Sequence, residues 1–179
     1  MKTKVYDVAI IGGGPGGYSA AFEAADYGLS VILFEKDMLG GTCLNRGCVP
    51  TKYLAHVSEL NMEMSRAADY GLDIKDSKIN FHITQQKNYA IVEELRNGLS
   101  QSMAECGINI VNGDAALVDK NLIVCDGVSY EAENVIIASG SKPVRLSGHM
   151  LTSDEVLKLE KIPHSILIVG GGYHSSRVS

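Results

Sequence analysis

VYDVAIIGGGPGGYSAAFEAADYGLSVILFE, residues 5–35, opens with an apolar run broken only by Asp7. A short run of that kind ending at glycines reads as a buried strand over Val5–Ile11. Gly12 to Gly17 then reads as a turn. The alanine-rich stretch Tyr18–Tyr27 reads as a helix, with Gly28 as its stop. Ser30–Glu35 reads as a second buried strand. A β-loop-α-β unit of roughly 30 residues implies parallel strands joined by a right-handed crossover.

Gly12, Gly14 and Gly17 stand at G-x-G-x-x-G spacing between that strand and that helix. The first glycine permits a tight turn, the second lets a pyrophosphate approach the backbone, and the third lets helix and strand pack closely. The helix N-terminus adds unpaired N–H groups and a partial positive charge. Glu35 ends the second strand, where a carboxylate can accept from both hydroxyls of a ribose. It would repel a 2′-phosphate, so FAD or NAD is expected rather than NADP. A helix-entry turn that binds nothing carries the same three glycines; the strand, the helix and the acid together favour a dinucleotide.

Outward from this unit, Lys52–Tyr70 reads as a helix closed by Gly71, and His82–Cys106 as a long polar helix closed by Gly107. Ile108–Val111 reads as a strand. Ala115–Val118, Leu122–Cys125 and Val128–Glu131 read as an antiparallel meander, with turns at Asp119-Lys120 and Asp126-Gly127. Val135–Ala138 and Ser165–Val169 read as further strands, and a short helix starts at Ser153, its expected N-cap. The 179 residues, with a net charge of −5 and a hydrophobic fraction of 45%, suit one soluble domain, or one domain and part of another. The mild acidity gives no reason to expect nucleic acid or an anionic membrane as partner. No signal peptide or membrane span is apparent, and four cysteines without a disulfide-rich composition point to a reducing compartment. A cytoplasmic location is expected.

Two of those cysteines lie close together, in GGTCLNRGCVPTK, residues 40–52. On a regular helix, positions five apart are roughly 8–9 Å from each other. A disulfide needs Cα atoms within about 7 Å. Pairing of Cys43 with Cys48 therefore requires a break in the helix, which Gly47 and Pro50 permit. A helix N-terminus and the nearby Lys52 would both favour thiolate. Two buried cysteines that never pair remain an alternative on spacing alone. A metal site is not expected, because Cys106 and Cys125 lack companions at ligand spacing; both read as core residues.

GGTCLNRGCVPTK resembles the redox-active segment of the flavin-dependent pyridine nucleotide-disulfide oxidoreductases. Leu44, Asn45, Pro50 and Lys52 bring it nearest to the dihydrolipoyl dehydrogenase branch of that family. VAIIGGGPGGYSAAFEAADYG, the strand ending FEK, VIIASGSKP, and TSDEVL before a second GGG follow in the family's order, so the resemblance covers about residues 4–173. It implies a Rossmann-like FAD-binding domain with a parallel sheet, a small antiparallel meander and the start of a second nucleotide-binding domain. It implies that Cys43 and Cys48 pair as the redox disulfide, Cys43 exchanging with the substrate and Cys48 lying against the flavin. Gly12, Gly14 and Gly17 would hold the FAD pyrophosphate and Glu35 the adenosine ribose. Lys36, Gly41, Thr42 and Lys52 match further FAD contacts, Gly113 and Ala115 the backbone flanking adenine, and Ser139, Gly140 and Ser141 the A-T-G-S segment. Ser139 stands where the family usually has Thr, and a hydroxyl is kept.

The implied activity is oxidation of dihydrolipoamide with NAD⁺. Glutathione or mercuric reductase-like enzymes share the architecture, and a non-catalytic FAD-binding fragment is the reading from another class. Residues 1–145 are expected to form the FAD-binding domain, and 146–179 a linker and the start of an NAD-binding domain. Gly170 and Gly172 would begin the NAD site, but Ser175 takes the third glycine position. The chain is therefore expected to be an N-terminal portion, with YHSSRVS read as an interrupted frame or the end of an expressed piece. The catalytic base, the return strand and the dimer-interface domain would lie beyond it, leaving weak FAD retention and exposed apolar surface. A homodimer and a 2-oxo acid dehydrogenase or glycine cleavage complex are the partners that the resemblance implies for the full-length family.

Overall fold

The computed structural model describes residues 5–75, 78–145 and 150–170. These form two compact units, 5–45 with 94–142 and 46–93 with 143–170.

The first unit is built on a six-stranded sheet in the order β3-β2-β1-β6-β5-β4. Strand β1 (Val5–Ile11) pairs in parallel with β2 (Val31–Glu35) on one side and β6 (Val128–Ile137) on the other, and β2 pairs in parallel with β3 (Asn109–Asn112). β4 (Ala115–Asp119) and β5 (Leu122–Cys125) add the antiparallel meander onto β6. Alternation decides which side chains go where. Val8 and Ile10 of β1 and Val31 and Leu33 of β2 pack with Ala21 and Ala24 of helix α1 (Pro15–Asp26) and with Met103. The intervening Ala9, Ile32 and Phe34 pack with Ile123, Cys125 and Ala132 from the meander strands. β1 and β2 are thus buried on both faces, as parallel strands generally are. Asp7, the one charge in β1, accepts the N–H of Ser30 at 2.6 Å, and its own N–H donates to Ser30 Oγ at 3.0 Å. These bonds pin the starts of β1 and β2 together.

The second unit holds helix α3 (Cys48–Ser65), a 3₁₀ turn over Ala67–Tyr70, the first part of helix α4 (Phe81–Glu105) and the short helix α5 (Ser153–Val156). Gln85 of α4 donates to the carbonyls of Leu157 and Leu159 at 3.1 and 2.8 Å, and Asn88 to that of Pro50 at 3.4 Å.

Several elements differ from the sequence reading. α1 begins at Pro15, because a proline in the first turn is already set for helix and sacrifices no needed N–H. The strands expected over Val128–Glu131 and Val135–Ala138 are one strand, β6, bonded to β5 by its first part and to β1 by the rest. The first meander turn falls at Lys120-Asn121, since Asp119 already pairs with Leu122. α5 is capped by Thr152, not Ser153: Glu155 Oε2 accepts the N–H of Thr152 at 2.7 Å, the T-x-x-E capping box. Ser165–Val169 is not a strand; among the described residues it has no ladder partner, and most of it is exposed. Cys125 is buried as expected, but Cys106 is exposed, because Met103 takes the inward position in the last turn of α4.

Candidate active site

The parallel strands carry the first group of site residues at their carboxyl ends. β1 has β2 on one side and β6 on the other, so the connections leave it in opposite directions, and ligands of open α/β sheets bind at such a switch point. Gly12 follows β1, Glu35 ends β2, Gly113 follows β3 and Ser139 follows β6.

Gly12 has φ +109°, and a side chain there would run into the carbonyl of Ala138. A side chain on Gly17 would strike the carbonyl oxygen of Gly12, so α1 can lie this close to β1 only with glycine at both places. Gly14 is different. The space where its Cβ would stand holds only Gly41 Cα, at 3.7 Å, and this opening is where a phosphate could meet bare backbone. The loop therefore fits a pyrophosphate in the way its spacing suggests. Glu35 bends back over it: its Oε2 accepts the N–H of Gly13 at 2.7 Å and its Oε1 the N–H of Asp37 at 2.8 Å. Each carboxylate oxygen keeps a lone-pair site for a further donor.

Gly113 donates its N–H to the carbonyl of Glu35 at 2.9 Å. A side chain on Gly113 would meet Cys125 and the Asp126 carboxylate, so packing alone requires glycine at 113. Lys36 and Asp114, both exposed, pair at 3.2 Å across the ends of β2 and β3. Ala115 begins β4, while Ser139, Gly140 and Ser141 are exposed after β6. Burial raises the Cys125 thiol pKa, with the carboxylates of Asp126 and Asp114 adding to it.

The cysteine segment is keyed to the same loop. Gly40 (φ +96°) donates to the carbonyl of Gly13 at 2.8 Å, and Gly41 (φ +58°) lies against Gly14. Helix α2 (Gly41–Arg46) follows at once, carrying Thr42 and the half-buried Cys43. Gly47, with φ −141° and ψ −111°, ends it, so the helix is broken between the two cysteines. In the second unit Cys48 opens α3 and Lys52 stands one turn later, both exposed. Gly170 is exposed with φ +115°, and Gly172 lies outside the described residues.

Residues 6–179 match the pyridine nucleotide-disulphide oxidoreductase family. The chain belongs to this family. Among its relatives in the family are dihydrolipoyl dehydrogenases of Bacillus subtilis (38% identical over 93% of this chain), Acholeplasma laidlawii (37% over 95%) and Staphylococcus aureus (37% over 96%). The chain spans 39% of the length of the first and third of these and 54% of the second. No helix among the described residues is long and apolar enough to cross a membrane.

The sequence gives no contact role to four residues that the structure brings to the candidate site. Gly13 is buried and donates to Glu35, and Gly40 donates to Gly13. Asn45 and Arg96 bond to each other at 3.1 Å. A glycine pair just before a cysteine motif was a usable signal for Gly40. Nothing in local sequence signals Arg96.

Proposed function

We propose that this chain supplies the flavin- and disulfide-bearing part of a dihydrolipoamide:NAD⁺ oxidoreductase. Residues 1–145 serve as the FAD-binding domain, and 146–179 as a linker with the start of an NAD-binding domain. The observation that carries the reading is the hydrogen bond from Gly40 to Gly13, which ties the cysteine segment to the glycine loop. Gly12, Gly14 and Gly17 hold the pyrophosphate, Glu35 and Lys36 the adenosine, and Gly113 and Ala115 flank the adenine. Gly41, Thr42, Lys52 and Ser139 to Ser141 serve the flavin end, and Gly170 and Gly172 begin the NAD site. When bound, FAD supplies two-electron acceptance from the dithiol and hydride donation to NAD⁺.

The residues' own chemistry is thiol–disulfide exchange. A dihydrolipoamide thiolate attacks Cys43 Sγ of a Cys43–Cys48 disulfide, and Cys48 leaves as thiolate. The second substrate thiol, after losing its proton, attacks the substrate sulfur of the mixed disulfide and frees Cys43. The substrate becomes a cyclic disulfide, the protein a dithiol, and both substrate protons pass to solvent or protein thiols. Lys52 stands one turn from Cys48 on the same helix. In its full-length setting the protein acts as a homodimer in the cytoplasm, serving a 2-oxo acid dehydrogenase or glycine cleavage complex.

The test is peptide mapping of the oxidised chain before and after dihydrolipoamide. A Cys43–Cys48 cross-link that dihydrolipoamide opens, with two thiols gained per chain and lipoamide formed, is the expected result. Equal opening by glutathione would move the substrate to the glutathione reductase-like class. Absence of the cross-link in a flavin-containing chain would leave a non-catalytic flavin-binding domain.

A further inference from the structure

Helix α2 is six residues long, far short of the ~12–15 needed for a helix to persist alone in water. Its entry runs through two glycines with positive φ, so the backbone supplies little intrinsic preference for the observed path. A side chain within it bonds to its entry turn. Asn45 Nδ2 lies 2.9 Å from the carbonyls of Leu39 and Gly41 and 3.2 Å from that of Met38. Its two N–H groups thus serve three carbonyls around the entry turn. That arrangement requires the amide oxygen to face the other way, and there it accepts from Arg96 Nη1 at 3.1 Å. The same Nη1 is 2.8 Å from Met38 Sδ. Arg96 stands on α4, 51 residues away in sequence, in the same compact unit. Its guanidinium has donors only, so it selects the amide orientation that points the NH₂ at the turn.

We propose that Arg96 and Asn45 form a positioning clamp that keeps Cys43 half-buried and sets how readily its sulfur is reached. Removing the guanidinium leaves the Asn45 oxygen without this donor, lets the amide rotate off the turn, and frees α2 to fray. Cys43, two residues before Asn45, then becomes more accessible. The role rests on the reading of Cys43 as the exchanging sulfur, but the clamp itself does not need that reading.

The experiment is timed alkylation of the reduced 179-residue chain with iodoacetamide, each cysteine followed by peptide mass spectrometry. Arg96→Ala is expected to raise the Cys43 rate about tenfold, the scale of one hydrogen bond to a charged group. Arg96→Lys, which keeps a charged donor, is expected to return it to within about twofold. Asn45→Ala should raise it similarly, and the double variant should do no more than either single one, because both remove one device. Exposed Cys106 and buried Cys125 should keep their rates. If Arg96→Ala does not fold, Arg96→Met keeps the apolar stem and carries the same expectation. An unchanged Cys43 rate, a Cys125 rate rising with it, or additive effects would each overturn the clamp. A Cys43 rate that responds as stated in a chain that does not exchange with dihydrolipoamide sinks the proposed function and leaves the clamp standing.

Discussion

Glu35 accepts the N–H of Gly13 over 2.7 Å, so the acid at the end of β2 and the glycine loop after β1 are already one hydrogen-bonded structure. A carboxylate so held is aimed before any ribose arrives. Glu35→Gln keeps an acceptor for Gly13 but turns an NH₂ toward the N–H of Asp37 and removes the charge that strengthens bonds to hydroxyls. FAD affinity, measured by quenching of flavin fluorescence, is expected to fall about tenfold, with the melting temperature lowered by a few degrees.

Two glycine substitutions separate collision from backbone strain. Gly17→Ala puts a methyl into the Gly12 carbonyl and forces α1 off β1. A loss of roughly 2–3 kcal/mol is expected in urea unfolding, on the scale of overpacking. Gly28→Ala meets no neighbour and has only its positive φ to resist. Its cost should be about 1 kcal/mol.

Met103 is fully buried in the cluster that joins α1, α4, β1 and β2. Met103→Ala should destabilise by roughly 2–5 kcal/mol, read as a lower urea midpoint at unchanged slope. Cys106→Ser, three residues on and exposed, should leave the midpoint where it is.

Asp7 has its pKa lowered from 3.8, first by the Ser30 hydroxyl and then by the Ser30 N–H. A depressed carboxyl stabilises the fold above its unfolded pKa, and that contribution is lost as pH falls through the folded value. Asp7→Asn is therefore expected to melt below the wild type at pH 7. The gap should close progressively as melting is repeated below about pH 4.

Cys43→Ser and Cys48→Ser should each abolish thiol gain on treatment with dihydrolipoamide, since neither can form the intramolecular disulfide. Flavin content after gel filtration should stay close to wild type, because neither change touches the glycine loop.

Much of the first unit was legible because its signals are local. An apolar strand, a glycine turn, an alanine-rich helix and a second strand leave few ways to join. The Asp126-Gly127 turn likewise declares itself: both residues have positive φ, at 48° and 80°, in a two-residue hairpin. Reading failed where a distant partner decides. Ser165–Val169 has the composition of a strand, but composition supplies no neighbour to bond. Cys106 looked like core until helix phase put Met103 inward instead. At the site, the glycine spacing and Glu35 could be placed from the sequence, and the structure brings them together. The bond between Asn45 and Arg96 could not, because it exists only once α4 has docked.

Strand β6 is bonded on both flanks at one point: Glu131 sits opposite Val5 of β1 and Leu122 of β5. Adding or deleting one residue in its ten would invert inside and outside on at least one flank, because side chains alternate along a strand. Length variation among homologous proteins should therefore gather in the hairpin loops and spare this strand. An engineer wishing to graft a peptide or a label here has the Asp126-Gly127 tip to work with, while β6 tolerates exchange of residues but no change in their number.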